Sequence, residues 1–447
     1  MEKTSLKRIA DWSCGKLNSN PDGYVSHAAI DSRRVSKGTL FFCFRGIRND
    51  GHDFIEDTKK KGGFSIGERT ECDITVGSTE DAIGKIAKEY RKTINPLVIA
   101  VTGSSGKSTT VRILESILTG DHVVTASPHS FNNHIGLPLT VMKMNTKTQI
   151  AILEMGANHK GEIGYLCNIA LPKIGIITNV GDAHIGNFGS IDAILNTKFE
   201  LADSLADGAT LVYNNDQENL KDKAVTYGDK LNLVGFGMTG KAEVTGTLIE
   251  RDVLSSIFEV DGFLFKIKIP GLFNVYNSLA AIAVAKILDI DFNKVNSKLN
   301  SVKSMDHRLQ YLNVRGIEIL DDSYNSNPNS IKNLFSELLK MYPQKNIIAV
   351  ISEMLELGNF ASQMHMDIGE FISNTNNIEY LLAGGKYVND IIEGAEKGQI
   401  EKANIYRFGN NKEAADLIKK ISTKDSLVVL KASRLAHLEN IIKYLKE

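Results

Sequence analysis

A chain of 447 residues, 42% hydrophobic and 23% charged, is too long for one ordinary domain and has a soluble globular composition, so about two to four domains are expected. Lysine and arginine (52) balance aspartate and glutamate (53), and a formal charge of −1 excludes a global basic surface for nucleic acid. No run approaches the roughly 20 apolar residues of a bilayer span, and the opening MEKTSLKRIADWSCG lacks an apolar core of signal-peptide length. Cys14, Cys43, Cys72 and Cys167 are scattered without metal-ligand spacing. A cytoplasmic protein with free thiols and no membrane insertion is expected.

The first stretch, to about Pro96, mixes short strand-like and helix-like pieces. Lys37-Gly38-Thr39 leads into Leu40-Phe41-Phe42-Cys43-Phe44, an apolar run suited to a buried strand. Ahead of it lies Asp31-Ser32-Arg33. These residues could hold a polar ligand, arginine suiting phosphate or carboxylate, although on residue type alone a solvated turn is the commoner use. GIRNDGHDF (46–54) has turn chemistry, and the helix-like stretch 55–61 ends at Gly62-Gly63. Asn95-Pro96 marks a boundary, because the residue before proline disfavours helix.

From Leu97 the pattern changes to alternating strands and helices. The apolar run 97–101 leads into Thr102-Gly103-Ser104-Ser105-Gly106-Lys107-Ser108-Thr109, after which Val111, Leu114, Ile117 and Leu118 follow at helical spacing. Strand, glycine loop and helix in this order form a phosphate cradle. Backbone N–H groups of the loop and the helix N-terminus converge where an anion is favoured. Lys107 adds a full positive charge, and the Ser108 hydroxyl can ligate magnesium. The loop is a short TGxxGKS variant, with Val101 where the longer pattern has its first glycine. A tight Gly-Ser turn would account for the glycines but not for the Lys-Ser-Thr run after them. The first inference is a nucleoside triphosphate site accompanied by magnesium.

Further strand candidates at 149–153, 174–178 and 209–213, with helical stretches at 162–169 and Ile191–Ser204, give a doubly wound α/β pattern. Ligands in such sheets bind beyond the carboxyl ends of the strands. Glu154, and then Asn179, Asp182 and His184, follow such ends, and Asn196-Thr197-Lys198-Phe199-Glu200 lies in the next helix. Glu154 can share a magnesium ion with Ser108, or simply end its strand in solvent. His184 reads more readily as a loop residue, since imidazole is not magnesium's preferred ligand. Lys198, on residue type alone, is a surface helix lysine. Between about 241 and 270 apolar and polar residues alternate around an Asp261-Gly262 hairpin turn, an antiparallel extension of the central domain. Gly271 to Asn277 then leads into an alanine-rich helix at 278–288. A third block, from about Ser304, has strand candidates at 317–320, 346–351, 379–382 and 427–430 and reads as a smaller α/β domain of nucleotide-fold type.

Eight segments occur in one order: TGSSGKST (102–109), SFNNHIGLP (130–138), EMGANH (154–159), TNVGDAH (178–184), NTKFE (196–200), GLFNVYNSLAA (271–281), HRLQ (307–310) and DDSYNSNP (321–328). Together they resemble the Mur ligase family, the ATP-dependent amide-forming enzymes of peptidoglycan precursor synthesis, over essentially the whole chain. The resemblance implies a three-domain α/β fold: a small UDP-sugar-binding domain (1–95), a central doubly wound P-loop ATPase domain (96–302) and a C-terminal domain (303–447) that closes with the incoming amine. It also implies roles. ATP lies on Thr102 to Thr109, with Lys107 on its β- and γ-phosphates. Ser108 and Glu154 take a first Mg2+, and His184 and a carbamylated Lys198 a second. Asn277 faces the adenine, Asp322 the ribose, and Arg308 reaches the phosphates. Ser32 and Arg33 belong to the uridine-nucleotide site.

Within the family, DDSYNSNP, the segment 353–358 (EMLELG) with His365 downstream, and Lys431-Ala432-Ser433-Arg434 resemble the member that joins D-alanyl-D-alanine to UDP-N-acetylmuramoyl-tripeptide. Tyr324, Asn325 and Asn327 would then contact the dipeptide. The DNPR-type motif of the diaminopimelate-adding member is absent. Three positions depart from the expected pattern: Ser352-Glu353 for Gly-Asp, Ser326 for alanine, and Ala432 for glycine. The alternatives are a relative joining another amine to a carboxylate, or a non-catalytic nucleotide-dependent scaffold. The presence of Glu154, His184 and Lys198 favours an enzyme, expected as a monomer.

Overall fold

The computed structural model describes residues 1–46, 49–128, 130–183, 185–252 and 254–447. Within them the chain builds three α/β bodies in succession, each around its own mainly parallel sheet. The N-terminal sheet runs Lys16–Leu17, Ile74–Thr75, Phe64–Gly67, Thr39–Phe42, His27–Ala29, antiparallel only at the first pair. All four residues of Thr39–Phe42 are buried, as the apolar run predicts. Helix Thr79–Ile94 is capped by Ser78 and stopped by Asn95, which has a left-handed φ of 50°.

The central sheet is parallel throughout, in the order Val244–Thr245, Asn232–Gly237, Thr210–Asn214, Ile174–Ile177, Leu97–Thr102, Ile150–Glu154, Val124–Ala126. Helices cover both faces, which is why its strands read as unbroken apolar runs; Val98, Ile99, Ala100 and Val101 have no exposed surface. The four strands expected here, Leu97–Thr102, Ile150–Glu154, Ile174–Ile177 and Thr210–Asn214, fall within a residue of their expected limits, and helix Ile191–Ser204 matches, whereas Val124–Ala126 and Asn232–Gly237 were not expected.

Two expectations are corrected here. Val244 pairs with Phe236 in the parallel sheet, and the antiparallel sheet is confined to Thr247–Arg251, Ser256–Val260 and Phe263–Ile267. Alternation along a stretch this short does not say which neighbour it pairs with. The hairpin turn itself is as read, with Asp261 at φ 51° and Gly262 at 81°. The alanine-rich helix starts at Leu272 rather than 278. Gly271 (φ 95°) turns the chain, the Asn274 side-chain amide donates to the Pro270 carbonyl (2.6 Å), and Asn274, Val275 and Asn277 are buried. Tertiary burial there overrides the weak helix propensity of Phe, Val, Tyr and Asn.

The C-terminal sheet runs Gln310–Val314, Ile317–Asp322, Ser426–Lys431, Asn346–Ile351, Ile378–Ala383, Ile405–Arg407, antiparallel at its first pair and parallel beyond. The two outer strands of this sheet were not expected; both are short or half-exposed and lack an apolar run. The bodies dock closely. Arg251 pairs with Glu337 across the central and C-terminal bodies, both side chains largely buried. The Gly186 N–H donates to the Glu356 carbonyl (3.1 Å). On the other side, the Tyr90 hydroxyl donates to the Met144 carbonyl (2.6 Å). Among the described residues no helix is long and apolar enough to cross a membrane.

Candidate active site

A cavity of about 900 Å³ lies between the central and C-terminal bodies. Its floor is the loop after strand Leu97–Thr102, where Ser104, Ser105, Gly106, Lys107, Ser108 and Thr109 line it. Gly106 has φ 79°, and a Cβ there would stand 2.3 Å from Asn277 Oδ1. The loop can therefore approach helix Leu272–Ile287 only without a side chain at this position. Gly106→Ala is expected to lower nucleotide affinity at least about tenfold while the protein remains folded; calorimetric titration with ADP checks it. The neighbouring strand end braces the loop. Thr178 Oγ1 donates to the Ser105 carbonyl (2.7 Å), and Asn179 Oδ1 accepts from the Ser105 N–H (2.9 Å).

Beyond the loop, the Ser108 hydroxyl donates to Glu154 Oε2 and the Asn132 amide to Oε1, both at 2.7 Å. Glu154 ends its strand with 1% of its surface exposed. Adjacent hydroxyl and carboxylate oxygens suit Mg2+. His184, the expected partner of a second ion, lies outside the described residues.

Lys198 is not a surface lysine. It is 2% exposed, because helix Ile191–Ser204 turns Ile194, Leu195, Thr197, Lys198, Phe199, Leu201 and Ala202 inward. Its Nζ lies 5.9 Å from the Phe188 ring. Burial first, and Lys107 second, push its pKa down to about 7. Lys107 is lowered too, chiefly by burial, with Arg308 adding to the effect and Glu154 and Glu356 opposing it. Its ammonium donates to the carbonyls of Gly103 (2.6 Å) and Ser104 (3.4 Å).

The C-terminal body supplies the opposite wall. Arg308 stacks over the Tyr324 ring at 4.2 Å and reaches Ser108 Oγ (3.4 Å), while its Nε is buried without a hydrogen-bond partner. The Tyr324 hydroxyl meets Ser130 Oγ. Asp322 accepts from Lys431 Nζ (2.7 Å) and from the Leu309 N–H (3.2 Å), and Lys431 also donates to the Asn325 carbonyl (2.6 Å). Because Lys431 is buried, Asp322→Ala would strand its charge. That variant is expected to lower Tm as well as weaken ATP use, with binding of a UDP-linked substrate nearly unchanged, read by thermal melts and separate KM values.

Of the residues picked out from sequence, Ser104 to Thr109, Glu154, Asn277, Arg308, Asp322, Tyr324, Asn325 and Asn327 line this one cavity. Thr102, Gly103 and Lys198 do not line it. Asn277 packs on the loop's own Gly106 and Thr110. The Asn327 side chain is engaged as the cap of helix Pro328–Met341. Ser32 and Arg33 are outside the cavity; Arg33 is exposed and forked onto Asp31, holding that carboxyl down at about 2. His365 donates to the Ala361 carbonyl and accepts from the Met354 N–H, so it buttresses segment 353–358 from inside the core. Sequence reading missed Asp216, whose carboxylate accepts from the Tyr276 hydroxyl (2.8 Å) in the cavity wall. Its signal was available: it follows the carboxyl end of strand Thr210–Asn214.

A phosphate loop whose site is completed by an arginine from a second α/β body defines a P-loop enzyme with its site between two bodies. Profiles described as the Mur ligase middle domain, the Mur ligase glutamate ligase domain and the Mur ligase family catalytic domain match residues 101–285, 307–434 and 25–81. The chain is 32% identical, over its whole length and 99% of the relative's, to UDP-N-acetylmuramoyl-tripeptide–D-alanyl-D-alanine ligase of Bacillus subtilis (strain 168). It superposes on MurF from Acinetobacter baumannii with TM-score 0.89, 25% identity and full coverage of both chains. It also superposes on the MurF ligase of Thermotoga maritima in complex with ADP, with TM-score 0.81 and 28% identity over 94% of this chain and 97% of that one. The chain belongs to the Mur ligase family.

Proposed function

We propose that this protein joins D-alanyl-D-alanine to UDP-N-acetylmuramoyl-tripeptide at the expense of ATP, in cytoplasmic peptidoglycan precursor synthesis. The observation that carries the reading is Arg308, delivered from the C-terminal body to Ser108 of the phosphate loop. The full-length likeness to ligases bearing that activity supports it. The terminal carboxylate of the tripeptide attacks the γ-phosphorus; a P–O bond to the carboxylate forms and the bond to ADP breaks. The dipeptide amine then attacks the acyl carbonyl, phosphate leaves and the amine proton passes to solvent. Lys107 and Arg308 neutralise charge on the transferring phosphoryl group. Closure of the C-terminal body keeps water from the acyl phosphate.

Mg2+ held by Ser108 and Glu154, and a second ion by His184 and carbamylated Lys198, would neutralise the triphosphate. Lys198 is suited to carbamylation because burial keeps much of its amine neutral near pH 7; the free amine adds to CO2 and releases a proton. In this reading Thr102 to Thr109 with Asn277 and Asp322 hold ATP, Ser32 and Arg33 the UDP moiety, and Tyr324, Asn325 and Asn327 the dipeptide. The divisions near 95 and 302 separate UDP-substrate, ATP and amine domains, and the protein acts as a monomer. The test is phosphate release with ATP, D-alanyl-D-alanine and UDP-tripeptides carrying lysine or diaminopimelate, with product mass as readout. Phosphate release that needs neither co-substrate would overturn the proposal.

A further inference from the structure

We infer that Asp321, acting through His307, is a positioning residue that aims Arg308 at the phosphate loop; the inference rests on the reading that Arg308 reaches the triphosphate. Arg308 sits between His307 (φ 60°) and Leu309 (φ 50°), two non-glycine residues in the left-handed region. Side chains at such angles crowd the following carbonyl, so the conformation persists only where its surroundings hold it. The holding contacts are specific. His307 Nδ1–H donates to Asp321 Oδ2 at 2.6 Å, and the His307 carbonyl accepts from the Tyr324 N–H at 3.0 Å. The Leu309 N–H donates to Asp322 Oδ1 at 3.2 Å. Adjacent aspartates thus fix the residues before and after the arginine.

Asp321 has no exposed surface and does not line the cavity, so it acts on the chemistry only through the chain it holds. Its other oxygen accepts from the Ser323 N–H (3.1 Å) and hydroxyl (2.6 Å), which anchors the carboxylate to strand Ile317–Asp322 and the turn after it. Releasing His307 would let this backbone relax towards right-handed or extended angles, and the Cα–Cβ direction of Arg308 would swing with it. The guanidinium would then leave its stack on Tyr324 and its approach to Ser108. The buried, unpartnered Nε of Arg308 marks a group held in place for an acceptor.

The test is a double-mutant cycle, which separates action through Arg308 from a general structural role. The main variant is His307→Asn, because asparagine tolerates left-handed angles and the exposed side of the site accommodates it. Asp321→Asn serves as a second variant. His307→Asn is expected to lower kcat for ligation about ten- to a hundredfold, with KM for the UDP-tripeptide within about twofold of wild type. Arg308→Ala is expected to lower kcat about a thousandfold. The double variant His307→Asn/Arg308→Ala should match Arg308→Ala alone. Losses that multiply, or a His307→Asn enzyme with wild-type kcat, would overturn the proposal. The same cycle run on affinity for a non-hydrolysable ATP analogue distinguishes its failure from that of the ligase reading. A wild-type protein that makes no product sinks only the latter, whereas affinity losses that multiply sink the positioning role whatever the reaction is.

Discussion

Lys198→Met is expected to cut ligation about a thousandfold or more and, in the same protein, to raise conformational stability. The two effects share one cause. Burial drives the Lys198 pKa from 10.5 down to about 7. Below pH 7 the amine is protonated in both folded and unfolded chains, and the folded state bears the whole penalty of a buried cation. Between about 7 and 10.5 the unfolded chain binds the proton and the folded chain does not, so stability rises with pH; above 10.5 the penalty is gone. Methionine keeps the stem without the charge. In CO2-free buffer near neutral pH the variant should gain up to about 4 kcal/mol, at about 1.36 kcal/mol for each tenfold change in proton affinity, and the gain should shrink towards zero as pH approaches 10.5. Urea denaturation across that range measures it. A stability gain independent of pH would show that ionisation of Lys198 is not the source. Uptake of labelled bicarbonate by the wild type, lost in Lys198→Met, reads the carbamate separately.

Lys198 also shows where the sequence was legible. The phosphate loop was readable because strand, Gly-Lys-Ser and helix are local: each acts on the next few residues, and the apolar run at 97–101 says the strand is buried on both faces. Glu154 was readable by rule, as the end of the adjacent parallel strand. Lys198 was not. Nothing in NTKFE says which side of its helix meets the core, and only resemblance to a family gave it a role before its burial was known. The start of helix Leu272–Ile287 failed for the related reason that its first turn is stabilised by packing on the loop helix, which propensity does not record. Arg308 and Asp322 were reachable only through resemblance, since their partners Ser108 and Lys431 are distant in sequence. The departures at 326 and 353 have local consequences: Ser326 Oγ is buried without a hydrogen-bond partner, and Glu353 accepts from the Lys386 N–H (2.8 Å).

Lys107→Met should be the most damaging change in the phosphate loop, because it removes a cation that, together with Arg308, lines the cavity where the triphosphate would lie. Burial lowers the pKa of both Lys107 and Lys198; Arg308 adds to the effect on Lys107, and Lys107 to that on Lys198. Glu154 raises the Lys107 pKa by more than Arg308 lowers it and Glu356 raises it further, so burial is what leaves this ammonium depressed. A buried ammonium is unfavourable until a polyanion arrives, so the site favours a triphosphate. The Lys107 ammonium donates to the Gly103 and Ser104 carbonyls, a local arrangement that a phosphate can replace. Removing the charge is expected to lower kcat/KM about a thousandfold, with the stabilisation of Tm by ATP reduced in parallel. Lys107→Arg should not restore activity, since a planar fork needs donor directions that a loop closed over Gly106 and Asn277 does not leave open. With Lys107 neutral, the second cause of the lowered Lys198 pKa is gone, so the Lys198 amine should titrate at higher pH, and bicarbonate uptake at neutral pH should fall in Lys107→Met although Lys198 itself is intact. Unchanged uptake would mean that Lys198 is tuned by burial alone, and activity within about tenfold of wild type would remove Lys107 from the phosphates altogether.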